Sequence, residues 1–216
     1  MVCAPRHDGW YAPLVKTPAK DIPADKPGAY AAGIVLAQRR DHATVVVDLG
    51  GGYGGPVFEH LKANDVKTVG YKGSESTFKR SKEGNLAFTN KRSAAYWLFR
   101  EALDPGQPNG GSKIALPDDR RLLAGLTAPT FEVTPRGIQL EPKVKFDPKG
   151  KVIGGVRAKL GFSPDEADAV VMAWFEGPRE ATDALDWATI REQARQTYKP
   201  VLVNTGRQPL SVRARR

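Results

Sequence analysis

A chain of 216 residues, 40% of them hydrophobic, is long enough for one sizeable core and an appendage. Its formal charge of +9 and pI near 9.7 point to a polyanionic partner. Nucleic acid is favoured over acidic membrane, because the basic residues are spread through 72–92, 143–159 and 207–216 rather than along one amphipathic helix, no apolar run reaches the ~20 residues of a membrane span, and no signal-peptide core precedes residue 9.

In chain order, residues 2–6 and 10–15 read as a hairpin turning at His7-Asp8-Gly9. After a Pro-rich linker, Pro27 opens a helix over 28–40, which leads into Val45-Val46-Val47-Asp48, an apolar run suited to a strand covered on both faces. Asp48 stands at its carboxyl end, the edge where open α/β sheets bind ligands. A glycine run, Gly50 to Gly55, precedes a helix over 56–64 and a second strand over 66–71. Residues 72–90 read as a polar, mobile loop and 91–103 as an amphipathic helix carrying Tyr96, Trp97 and Phe99, followed by a glycine-rich loop over 104–112. A short strand ending near Leu116 and a helix capped at Asp118-Asp119 come next. Hairpin strands at 130–134 and 137–141 follow, turning at Pro135-Arg136.

The helix beginning Ser163-Pro164-Asp165-Glu166 carries the sharpest chemical signal. Ser163 is placed as its N-cap, Pro164 as its first residue and Glu166 as the reciprocal partner of a capping box, while Asp165 and Glu166 offset the helix dipole. Asp168 lies beyond the cap and is followed by Ala169-Val170-Val171-Met172-Ala173-Trp174, so it faces burial, where an unpaired charge costs several kcal/mol. Either it is neutralised by a salt bridge to an arginine, or it is functional, and function is the favoured reading. From residue 177 the chain changes character, with one helix expected around 183–198 and an Arg-rich end.

Asp48 and Asp168 can meet if the late helix packs against the sheet edge, and two hard oxygen ligands suit Mg²⁺ or Mn²⁺. A pair of such ions about 3.5 to 4 Å apart serves phosphodiester cleavage. Other chemistries are weaker. The glycine run satisfies G-x-G-x-x-G and looks like the first motif of S-adenosylmethionine methyltransferases, but the next strand ends in Tyr71-Lys72 with no acid for the ribose hydroxyls. No P-loop motif occurs, His7, His42 and His60 lack ligand spacing, and Cys3, the single cysteine, has neither a disulfide partner nor an evident catalytic one.

Taken in order, Val45-Val46-Val47-Asp48 with Gly-Gly-Gly-Tyr-Gly-Gly, Phe88-Thr89-Asn90-Lys91-Arg92, Ile138-Gln139-Leu140-Glu141-Pro142-Lys143 and the 163–169 segment resemble the nuclease domain of the large subunit of tailed-phage terminases. The resemblance implies an α/β, RNase H-like (integrase-like) mixed central sheet flanked by helices over residues 1–176, with a helical, basic appendage over 177–216. It implies a metal-dependent endonuclease, a hydrolase that cuts concatemeric viral DNA during packaging. Asp48 and Asp168 would be its catalytic metal ligands, Asp165 an auxiliary ligand, and Mg²⁺ or Mn²⁺ its cofactor. Lys91, Arg92 and Lys143 are the expected DNA contacts, with a helix cap at Asn90 and a surface lysine as the alternatives. Double-stranded DNA, the portal and the terminase small subunit are the implied partners, with the cytoplasm of a bacterial host as the location. The family also carries a first catalytic aspartate upstream of the opening hairpin. Here Met1 falls near the far end of that strand, so an N-terminally truncated domain, or a prophage remnant without catalysis, is expected.

Overall fold

The computed structural model describes residues 1–106 and 113–177; the appendage expected beyond 177, its helix over 183–198 and most of the 104–112 loop lie outside them. The chain opens with four two-residue strands, β1 (Val2–Cys3), β2 (Arg6–His7), β3 (Trp10–Tyr11) and β4 (Val15–Lys16). The inner pair turns at Asp8-Gly9 and the outer pair aligns Val2 with Lys16, so the expected hairpin is present but broken between its two rungs. Gly9 is required there, because a Cβ would stand 2.0 Å from the Lys113 carbonyl oxygen. After a 3-10 turn at Ala19–Asp21 comes α1 (Pro27–Gln38), with proline in its first turn.

Strand β5 (Val45–Asp48), helix α2 (Gly54–Ala63) and strand β6 (Thr68–Tyr71) form a parallel strand, helix, strand unit, with Asp48 in register with Tyr71. Alternation along β5 serves two cores. Val45 and Val47 pack with Ala32, Leu61 and Val66 of the α1 and α2 side. Val46 packs into the larger core, which contains Tyr71, Ala94, Tyr96, Phe99, Ile138, Ala167 and Val170. Such a strand is apolar throughout because both its faces are covered.

Residues 72–90 run without long elements to Asn90, whose side chain accepts from Ser93 N at 2.8 Å and caps α3 (Lys91–Leu103). Asp119 likewise caps α4 (Arg120–Thr127), accepting from Arg121 N and Leu122 N. Strands β7 (Phe131–Thr134) and β8 (Gly137–Leu140) pair as the expected hairpin. Two short strands, β9 (Lys145–Phe146) and β10 (Val152–Gly154), pair as a ribbon that the sequence reading did not contain, followed by α5 (Val156–Leu160) and α6 (Asp165–Phe175). Helix α6 packs against α3, α4, β1 and β5 and buries Ala167, Val170 and Val171.

The architecture is mixed α/β with small, separate sheets. No helix among the described residues is long and apolar enough to cross a membrane.

The start of α6 differs from expectation. Pro164, not Ser163, stands at the N-cap, with no side-chain cap, and the Ser163 hydroxyl lies against Asp165. Glu166 is only 3% exposed and forms no capping box. It sits between Lys16 Nζ and Arg121 Nε, each 3.2 Å away, and Lys16 also holds Asp119 at 2.6 Å. Two cations compensate a buried carboxylate better than one backbone N–H does, so the tertiary pairing wins over the local cap.

Candidate functional site

Asp48 lies two residues beyond Val46 and so on the same side of β5, facing the core that α6 completes. Its Oδ1 accepts from Gly50 N at 2.8 Å, which turns the chain sharply into the glycine run. Gly54 opens α2 against that turn: a Cβ there would stand 1.9 Å from the Asp48 carbonyl oxygen, so only glycine fits.

Asp168, 8% exposed, receives three groups. The Tyr96 hydroxyl donates to its Oδ1 at 2.7 Å, Arg92 Nε approaches the same oxygen at 3.4 Å, and Lys143 Nζ stands 2.6 Å from Oδ2. The lysine contact lacks hydrogen-bond direction, so Oδ2 is buried without a hydrogen-bond partner and is held by charge alone. Arg92 and Tyr96 reach the site together because they are one helical turn apart on α3, the guanidinium lying 4.9 Å from the Tyr96 ring centre. Arg92 also donates to the Glu141 carbonyl at 3.0 Å, and Ser93 Oγ accepts from Leu140 N, which fixes α3 against β8.

Tyr71 lies on β6 in register with Asp48. It is buried edge-on to Phe175 of α6, and its hydroxyl pKa is pushed well up, first by burial, then by the charge on Asp168, with Arg92 opposing and Asp48 adding to the rise. The Tyr96 hydroxyl is raised for the same leading reasons, burial and Asp168.

No family model, curated protein or solved structure matches this chain.

The residues singled out in the sequence fall into two groups. Asp168, Arg92 and Lys143 form one cluster, and Asp48 stands at the end of β5 in register with Tyr71 of β6. Lys91 lies beside it but is taken up by Glu75 at 3.0 Å and Glu176 at 3.3 Å. Asp165 is exposed and turned to Ser163. The salt-bridge alternative weighed for Asp168 is thus present, with Arg92 as its arginine. Tyr71 and Tyr96 were not read as site residues; the one available signal was the helical spacing that puts Tyr96 beside Arg92. Among the described residues no group of three His, Cys, Asp or Glu side chains is placed to hold a metal ion. Two carboxylates remain, and Mg²⁺, which keeps several waters, is the ion that such a sparse set suits. The unpartnered Oδ2 of Asp168 fits that use, since it is a buried oxygen with only a displaceable ammonium against it. The end of β6 offers Tyr71 where a methyltransferase would need a ribose-binding acid.

Proposed function

We propose that this chain is a divalent-metal-dependent DNA nuclease domain of the phage-terminase type, on an RNase H-like plan, with Asp48 and Asp168 as ligands to Mg²⁺ or Mn²⁺ and double-stranded DNA as substrate. The observation that supports it most is that Asp48 ends β5, the strand against which α6 packs, while α6 carries Asp168 in its first turns as a buried acid whose Oδ2 has no hydrogen-bond partner. Bound ions would activate water and stabilise the leaving oxygen. The chain's own groups do the rest. Lys143 neutralises Asp168 and, as a mobile point charge, would be free to meet phosphate if Asp168 and Asp48 held a metal. Arg92, fixed by Glu141 and Tyr96, keeps the Asp168 carboxylate oriented. Asp165, exposed one turn before Asp168, is the auxiliary ligand. The portal and the terminase small subunit as partners, and a bacterial host's cytoplasm as the location, belong to the same proposal.

A second reading is favoured by one observation. Arg92, Tyr96 and Lys143 already compensate Asp168, which is the arrangement of a structural ion pair in a DNA-binding module without catalysis. Calorimetric titration with Mn²⁺ separates them: saturable binding lost in Asp48→Asn supports the metal site, and no binding heat in the intact chain leaves the binding module.

A further inference from the structure

The β9 and β10 ribbon carries charge and apolar surface left uncovered among the described residues. Phe146 and Val152 are cross-strand partners and so share a face, yet they are 58% and 54% exposed. Lys145 and Lys151 precede them in their strands and so point to the other face, with Lys149 at the tip; all three are exposed, and none pairs with a carboxylate among the described residues. The tip is preorganised rather than loose: Asp147 Oδ1 accepts from Lys149 N at 2.9 Å and Lys151 N at 2.8 Å, with Gly150 at φ +80° in the turn. The base is fixed as well. Val156 N and Arg157 N donate to the Pro142 and Lys143 carbonyls, and a Cβ on Gly155 would meet those carbonyls at 2.8 to 2.9 Å. Lys143 is therefore shared, its backbone anchoring the ribbon and its ammonium lying on Asp168.

We infer that this ribbon is a docking arm for duplex DNA. A two-stranded ribbon fits the major groove, about 12 Å wide. The Phe146 and Val152 face turns to the groove floor, Lys149 at the tip and the long Lys145 and Lys151 side chains from the outer face reach the phosphates on the groove walls, and the duplex is held beside Asp168. Charge complementarity selects this occupant: three unpaired ammonium groups on one rigid arm match a regularly spaced polyanion. The inference rests on the DNA reading above but not on cleavage.

The test is fluorescence anisotropy with a short labelled duplex in chelator, across a salt series. The Lys145→Ala, Lys149→Ala, Lys151→Ala triple variant is set beside Lys20→Ala, Lys26→Ala, Lys67→Ala, which removes equal charge from other elements. The arm predicts at least tenfold weaker binding for the ribbon triple and a log–log salt slope shallower by about 0.9 for each lysine on a phosphate, with the control close to the intact chain. Phe146→Ala weakens binding with the salt slope kept, and Lys149→Glu in the exposed turn reproduces the triple if that variant folds poorly. Equal losses in both triples overturn the arm while leaving DNA as partner. No duplex binding by the intact chain, or ribbon-dependent binding to phosphatidylserine vesicles instead, overturns the arm and the DNA reading together. Binding through the ribbon without any cleavage upholds the arm and counts only against the nuclease.

Discussion

Lys143 Nζ stands 2.6 Å from Asp168 Oδ2, the place a divalent cation would take on that carboxylate. The ammonium is one-third exposed and on a long side chain, so it can leave, whereas buried Tyr96 and half-buried Arg92 hold Oδ1 from one turn of α3. The two sides of the carboxylate thus differ, one locked and one exchangeable. Lys143→Met removes the competing charge. Mn²⁺ affinity, read by calorimetry, rises several-fold in that variant if Lys143 guards a metal site and is unchanged at zero if Asp168 is only a structural acid.

Removing the acid has a different cost. Asp168→Ala leaves Arg92, already with an unpartnered buried Nη2, without its counter-charge, and should destabilise the fold by about 3 to 5 kcal/mol. Chemical denaturation checks this, and a loss below about 1 kcal/mol would place the cluster in bulk-like solvent.

Glu166 behaves as the linchpin of α4, α6 and β4. Taking away both of its cations, in Lys16→Ala with Arg121→Ala, leaves a carboxylate with almost no exposure and should cost about 3 to 5 kcal/mol, more than the sum of the single changes. Additive, small effects in the double-mutant cycle would contradict the pairing.

The same network sets a pH limit. Asp119 is held below its ordinary value of 3.8, first by Lys16 and, against some burial, by the Arg121 and Leu122 backbone N–H groups. Glu141 is also held below 4.5, where Lys159 and Thr130 outweigh burial. A lowered folded pKa contributes stability that is present above the unfolded value and lost as pH falls through the folded one. Acid unfolding should therefore steepen below about pH 4, and Asp119→Asn should flatten it.

At the alkaline end the sign reverses. Tyr71 and Tyr96 have raised folded pKa values, so their contribution holds below the ordinary value of 10.0 and is lost as pH rises above it. Ultraviolet titration should show these two hydroxyls ionising only above their ordinary value of 10.0 and together with unfolding. Ionisation of either at that ordinary value in a folded chain would contradict their burial.

Much of this fold was legible where the determinants are local. The Val45-Val46-Val47 run, the caps at Asn90 and Asp119 and the Pro135-Arg136 turn are each read from a few neighbouring residues, and each appears in the structure. Glu166 was misread because Ser163 and its spacing mimic a capping box, while its true partners, Lys16 and Arg121, are remote in sequence. The β9 and β10 ribbon escaped notice because its strands are too short and too lysine-rich to show alternation. At the site, burial of Asp168 followed from its apolar neighbours, but the convergence of Arg92, Tyr96 and Lys143 on it is tertiary. Nothing in Tyr71's own segment indicates that it packs edge-on against Phe175 of α6.

The most direct measurement of the central claim is plasmid cleavage with Mn²⁺ by the intact chain, Asp48→Asn and Asp168→Asn, beside a chelator control. The intact chain is expected to nick in a metal-dependent way, and both variants to lose nicking while DNA binding persists. Cleavage that survives both substitutions, or no cleavage by the intact chain under any metal condition, would contradict it.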